Sequence, residues 1–125
     1  MRIGLIGAGA VAQLHRRAAG LLPGVEMTAV CDLREGLVAE VAEPIGARVF
    51  TDYRAMFASG VLDAVIINTP HALHRPMVLD AAAAGLHVLV EKPMATTVED
   101  CDLMTAAAER AGVVLGVGHI QHFLP

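Results

Sequence analysis

Aromatic residues are scarce in this 125-residue chain. There is no Trp, one Tyr and three Phe, 3% in all, although 55% of the chain is hydrophobic. Its core must be built from Ala, Val, Leu and Ile, a set that suits tightly packed helices on a sheet. A basic excess is also missing: nine Lys and Arg stand against 13 Asp and Glu, for a net charge of −4. Nucleic-acid binding by bulk electrostatics, which needs cationic surface, is therefore excluded. No run reaches the roughly 18 uncharged apolar residues that a membrane span requires. Residues 1–7 run straight into a strand-like segment, without the apolar stretch and cleavage site of a secretory signal, so the expected location is cytoplasmic. Only two cysteines occur, Cys31 and Cys101. They are far apart without metal-ligand spacing, and are expected to be two buried thiols. The length predicts one domain, able to bury about two-thirds of the surface its unfolded chain exposes.

What is present is an alternation of short apolar runs and helical patterns. Strands are expected at 2–6, 25–31, 48–50, 64–67, 87–90 and 113–117. Helices are expected at 11–22, with Val11, Leu14, Ala18 and Leu21 on one face, and at 34–43, stopping at Pro44. Further helices are expected at about 52–57, capped by Asp52, and at 75–84, ended by Gly85 in a left-handed turn. The last is opened by Thr97-Val98-Glu99-Asp100, which resembles a capping box with Asp in place of Glu or Gln. It carries Val98, Cys101, Met104, Ala108 and Ala111 on one side. The scattered Met27, Met56, Met77, Met94 and Met104 suit gap-filling in a core poor in aromatics. Strands that are apolar throughout are buried on both faces. With helices between them, they predict a doubly wound α/β fold, a parallel sheet covered on both sides.

Gly7-Ala8-Gly9-Ala10-Val11-Ala12 lies directly between the first strand and the first helix, the context in which G-x-G-x-x-G/A signals a dinucleotide site. Gly7 allows the tight turn, Gly9 leaves the backbone open to a pyrophosphate, and Ala12 keeps the helix close to the strand. The helix N-terminus then faces the phosphates. Asp32, about 20 residues beyond the motif, ends the second strand, where a carboxylate accepts hydrogen bonds from ribose hydroxyls. The bland alternative, a glycine-rich turn without a ligand, is weighed down by the order strand, motif, helix, strand, acid. Asp32 repels a 2′-phosphate and favours NAD. NADP stays open because Arg34 has three readings: a phosphate holder, a stack on adenine, or a solvated helix-start residue. S-adenosylmethionine methyltransferases share a glycine loop and an acidic strand end, but nothing further along this chain resembles their later motifs.

Three later segments carry more: Asn68-Thr69-Pro70-His71-Ala72-Leu73-His74, the string Ala84-Gly85-Leu86-His87-Val88-Leu89-Val90-Glu91-Lys92-Pro93, and the terminal stretch from Gly116 to Pro125. With the glycine motif, they resemble the N-terminal half of the Gfo/Idh/MocA oxidoreductases, across essentially the whole chain. Both Asn68–His74 and Glu91–Pro93 follow strands, at the sheet edge where open α/β folds bind ligands. The resemblance implies that Lys92 hydrogen-bonds the reacting oxygen of a sugar, inositol or related polyol, and assists its proton transfer as hydride moves. A purely structural Lys92 paired with Glu91 is the competing reading. By the same resemblance Asn68, Thr69, Pro70, His71, His74 and Glu91 belong with the cofactor cleft, alongside Gly7, Ala8, Gly9, Ala10, Val11, Asp32 and Arg34. No metal is expected. His71 with His74, and His119 with His122, have no third ligand nearby, and a helix-start His74 making a local hydrogen bond is the simpler reading. His15 reads as a surface residue and His87 as a strand-edge one.

The family pattern continues into a second domain holding most of the substrate pocket. Residues 1–118 are therefore expected to be the dinucleotide-binding domain, and 119–125 the stub of a connection. Gln121 and His122 stand where relatives often carry arginines. Two functions follow. One is the NAD(P)-binding part of an oxidoreductase, inactive or partner-dependent as a short chain; the other is a non-catalytic dinucleotide-binding or interaction module. Ile120, Phe123 and Leu124 would be left uncovered, and exposed apolar surface predicts a homodimer through the C-terminal segment.

Overall fold

The computed structural model describes residues 1–124; Pro125 and the side chain of Phe123 lie outside the described residues. The strands are β1 (Arg2–Ile6), β2 (Glu26–Cys31), β3 (Arg48–Phe50), β4 (Ala64–Ile67), β5 (His87–Glu91) and β6 (Leu115–Gly118). The helices are α1 (Ala12–Gly20), α2 (Glu35–Ala42), α3 (Tyr53–Ala58), α4 (His74–Ala83) and α5 (Val98–Ala111). One sheet runs in the order β3-β2-β1-β4-β5-β6, every pairing parallel. This is the doubly wound order in which the chain reverses direction across the sheet between β1 and β4.

Successive strand residues feed opposite layers, which is why the strands read as continuous apolar runs. Ile3, Leu5, Val30 and Ile66 join Ala12, Ala19, Val38 and Val41 of α1 and α2. Ile6, Cys31, Val65, Ile67, Val88 and Val90 join Met56, Met77, Val78, Ala81 and Met104 of α3, α4 and α5. Four of the five scattered methionines are buried in these layers, and Met94 packs against one of them. On the α1/α2 side the cover thins over β5 and β6, where Leu89, Glu91, Gly116 and Gly118 are only half-buried.

The helix signals act where expected, with informative exceptions. The Asp52 carboxylate accepts the Arg54 N–H at 2.9 Å. The Thr97 hydroxyl accepts the Asp100 N–H at 3.1 Å, while the Asp100 carboxylate turns to Arg75 at 3.1 Å. Gly85 closes the α4 turn at φ 73°. Helix α2 ends at Ala42, one residue early, and Pro44 sits in a 3-10 turn. Strand β6 begins at Leu115 because Val114 gives its N–H to the His87 ring instead, at 3.0 Å. The expected inner face of α1 is overturned: Val11, Leu14, Ala18 and Leu21 point outward, Leu21 being 83% exposed, and Ala12 and Ala19 face the sheet. The glycine turn sets the helix so close to the strand that only alanines fit between them. Cys31 is buried as expected, but Cys101 is only half-buried.

Candidate functional site

In register, Ile6 of β1 faces Cys31 of β2 and Ile67 of β4, and Ile67 faces Val90 of β5. The residues that follow, Gly7, Asp32, Asn68 and Glu91, therefore emerge abreast at one edge of the sheet. Backbone bonds lock the row: the Gly7 N–H donates to the Cys31 carbonyl at 2.8 Å, and the Asn68 N–H to the Ile6 carbonyl at 2.8 Å.

The two motif glycines do different work. Gly7 has φ 94°, and a Cβ there would lie 2.3 Å from the Asn68 carbonyl oxygen. A side chain is barred by both conformation and space. Gly9 would carry a Cβ with no protein atom within 4 Å. No packing inside the chain calls for glycine at that position, and the open space fits a pyrophosphate lying on the backbone at the start of α1. Ala8 is buried, while Ala10 and Val11 stand exposed at the same mouth.

Asp32 ends β2 with both carboxylate oxygens engaged. One accepts the Arg34 N–H at 2.9 Å and Arg34 Nε at 3.0 Å. The other accepts the Ala8 N–H at 2.9 Å and Arg34 Nη2 at 2.9 Å. The Arg34 guanidinium, aided by the backbone N–H groups of Arg34 and Ala8, outweighs the opposing effect of burial and holds Asp32 down at about 2. Four acceptor positions are about what a carboxylate offers. The exposed Arg34 side chain is thus paired with Asp32 rather than merely solvated. Beneath them, burial and the nearby Asp52 and Asp32 charges push the Cys31 thiol up to about 11, which keeps it protonated.

On the other side of the cleft, Asn68 donates to the Gly7 carbonyl across 3.4 Å, and the Thr69 hydroxyl points at Met77 Sδ, also at 3.4 Å. Pro70 and His71 are exposed. His74, at the start of α4, is 0% exposed; it makes the expected local bond, to Thr69, and bonds across to the loop after β5 as well. The Glu91 carboxylate lies 2.8 Å from His15 Nε2 and accepts the Lys92 backbone N–H at 3.3 Å. Gly118 permits this, since a Cβ there would approach the same carboxylate to 3.2 Å. His15 is thus half-buried and engaged rather than a surface residue. Its link to Glu91 had no signal in the sequence, because the two lie on separate elements. The Lys92 side chain is exposed, and its ammonium has no ion pair or hydrogen bond among the described residues, so the pairing with Glu91 is absent there. Among the described residues no three His, Cys, Asp or Glu groups gather to hold a metal. No helix among them is long and apolar enough to cross a membrane.

Comparison with known proteins agrees with this arrangement. Residues 1–119 match the Gfo/Idh/MocA family, described as an oxidoreductase family with an NAD-binding Rossmann fold. The rhizopine catabolism protein MocA of Rhizobium meliloti is 37% identical over 99% of this chain and 39% of its own length. Inositol 2-dehydrogenase 3 of Saccharopolyspora erythraea is 35% identical over 98% of this chain and 37% of its own length. The WlbA dehydrogenase from Bordetella pertussis, solved in complex with NADH and UDP-GlcNAcA, superposes with a TM-score of 0.89 at 36% identity, over 94% of this chain and 34% of that one. The chain spans less than half the length of these relatives. With matched motifs, strand order and nearly complete coverage, it belongs to the Gfo/Idh/MocA oxidoreductases and corresponds to their N-terminal Rossmann domain.

Proposed function

We propose that this chain binds NAD at the Gly7–Asp32 edge and serves as the nucleotide half of a dehydrogenase acting on a sugar, inositol or related polyol. The observation that carries the reading is the pairing of two otherwise unexplained features at one sheet edge: a motif glycine facing empty space, and an unpartnered Lys92 ammonium. Two relatives, an inositol 2-dehydrogenase and a dehydrogenase solved in complex with NADH and UDP-GlcNAcA, support the substrate class. Gly7, Ala8, Gly9, Ala10 and Val11 would hold the pyrophosphate, and Asp32 the ribose after Arg34 moves. Asn68, Thr69, Pro70 and His71 would line the nicotinamide end.

A bound nicotinamide supplies the hydride acceptor or donor. Lys92 Nζ would hydrogen-bond the substrate oxygen and take up or return its proton, a task that general acid–base groups perform for about 10²–10⁴-fold in rate. Glu91, held by His15, fixes the backbone from which Lys92 departs. Substrate contacts would come from a second domain of the kind the relatives' greater length supports. Residues 119–125 are read as the connection to that domain. The same proposal includes a cytoplasmic location, where this cofactor is drawn from the cell's own pool. It also includes a homodimer through the C-terminal segment, supported by Ile120 and Leu124, 66% and 60% exposed.

Calorimetric titration of NAD and NADP into the purified chain, with Gly9→Asp as control, tests the reading. Saturable NAD binding that the variant loses is the expected result. A folded chain that binds neither nucleotide overturns it and leaves the second reading, an interaction module without cofactor. The Arg34 occupancy of Asp32 is the observation favouring that alternative.

A further inference from the structure

We infer that the outward stripe of α1 is a docking face for a second copy of this chain, whose own α1 fills a helix-wide gap over β5 and β6. The inference goes beyond the cofactor reading and does not depend on it. Val11, Leu14, Ala18 and Leu21 recur at intervals of three, four and three residues, the spacing of a helix seam that packs against another helix. Ala12 and Ala19 take the sheet-facing side of α1, while Leu14 and Leu21 stand 62% and 83% exposed. The stripe is built for packing that this chain does not itself supply among the described residues.

The gap lies beside that stripe. His15 meets Glu91 at 2.8 Å, so the flank of α1 that carries His15 faces β5. At about 3.6 residues per turn, Val11 and Ala18 share that flank, and Leu14 and Leu21 lie opposite Ala12 and Ala19. Over β5 and β6 the layer formed by α1 and α2 has no further helix among the described residues, and half-buried Leu89 and Gly116 form a floor. Two strand spacings of about 4.8 Å match one helix about 10 Å across. Gly116 is a separate sign of an occupant. Its backbone is not left-handed, and a Cβ there would come no closer than 3.5 Å, to Leu89 Cδ1. Neither conformation nor packing inside the chain calls for glycine, and a glycine within a strand marks the close approach of another backbone.

A two-fold axis parallel to the strands, between α1 and the gap, meets both needs at once. It lays each α1 in the other copy's gap, the two helices side by side and parallel. Leu14 and Leu21 then rest on the floor of the second copy, and Ala18 meets its own equivalent across the axis. With exposed Leu22, and Ile120 just after β6, each copy offers roughly 500 Å² of apolar surface, as much as a monomer leaves bare. Two copies bury about 1,000 Å² together, where specific but weakly held interfaces begin. Because Ile120 follows the strand that borders the gap, this contact is continuous with the proposed C-terminal one, and the two belong to one dimer.

Sedimentation velocity of the 125-residue chain across micromolar concentrations tests the inference. A reversible dimer is expected. Leu14→Glu, which puts a carboxylate into the contact, is expected to raise its dissociation constant at least about ten-fold. Gly116→Val, which fills the gap without adding charge, is expected to act in the same direction. Ala18→Cys is expected to form an intermolecular disulfide in air, whereas Gln13→Cys, on the α2 side of the helix, is not. A chain that stays monomeric overturns the inference together with the C-terminal dimer. A dimer that Leu14→Glu and Gly116→Val both leave intact overturns it alone, and weakening by Leu124→Asp then assigns that dimer to the C-terminal segment. An intact dimer without the Ala18→Cys disulfide overturns it as well.

Discussion

The Glu91 carboxylate and the His15 ring meet at 2.8 Å, joining the helix of the glycine loop to the strand that presents Lys92. Both side chains are mostly shielded from water, so removing one partner leaves the other's polar group without its contact. Glu91→Ala should lower stability by about 1 kcal/mol, roughly 3–6 °C in melting temperature for a domain of this size. Glu91→Gln, which keeps an acceptor, should recover most of it. Thermal melts of the three proteins by circular dichroism check the order, and equal melting of Ala and wild type would remove His15 from the site's support.

The two motif glycines should separate stability from binding. Gly7→Ala places a Cβ against the Asn68 carbonyl in a left-handed backbone and should cost about 3 kcal/mol or more. Gly9→Ala meets no protein atom, so its melting temperature should match the wild type while NAD affinity falls. Melts paired with calorimetry read both effects.

Asp32 carries a pH signature. Arg34 holds its carboxyl at about 2, below the roughly 3.9 of an unfolded Asp. A depressed native value stabilises the fold above the unfolded value, and that contribution is lost as pH falls through about 4 towards 2. Arg34→Ala removes the main cause of the depression. Urea midpoints of wild type and variant should therefore differ at pH 6 and converge as pH falls towards 2. The same variant frees acceptor positions on Asp32 and should tighten NAD relative to NADP. A variant whose preference moves towards NADP would show that Arg34 is no barrier to NAD.

The thiols should react in a set order. Cys31 is buried and its thiol pushed up to about 11, whereas Cys101 is half-buried on α5. Maleimide labelling of the native chain followed by mass spectrometry should modify Cys101 first, with Cys31 labelled only on unfolding.

Sheet and cleft were legible in the sequence because their signals are local. Apolar runs mark strands buried on both faces, Asp52 and Thr97 mark helix starts, and the glycine motif declares its context within a few residues. What escaped was set between distant elements. The outward face of α1 looked like a core stripe, and only the closeness of helix to strand reveals that Ala12 and Ala19 take its place. His15 and His74 looked incidental because Glu91, on β5, and the carbonyls of Pro93 and Met94, on the loop after it, are far from them in the chain. Periodicity cannot report such pairings. Arg34 was legible as a candidate, while its occupation of Asp32 depends on a side-chain path that composition does not encode.

The strand order also sets a timetable for assembly. Residues 1–50 contain the glycine loop, Asp32 and the three strands on one side of the sheet, yet β1 at that stage has an open edge where β4 belongs. The Ile6 carbonyl has no Asn68 N–H to accept, and nothing bounds the far side of the glycine turn. As the chain leaves the ribosome, the parts proposed to hold adenosine are made first, the wall of the cleft arrives with β4, and Lys92 is delivered only when β5 seats beside it. Nucleotide contacting both sides can bind only after these late strands are in place. Its binding then reports completed folding and, by mass action, draws the equilibrium towards it.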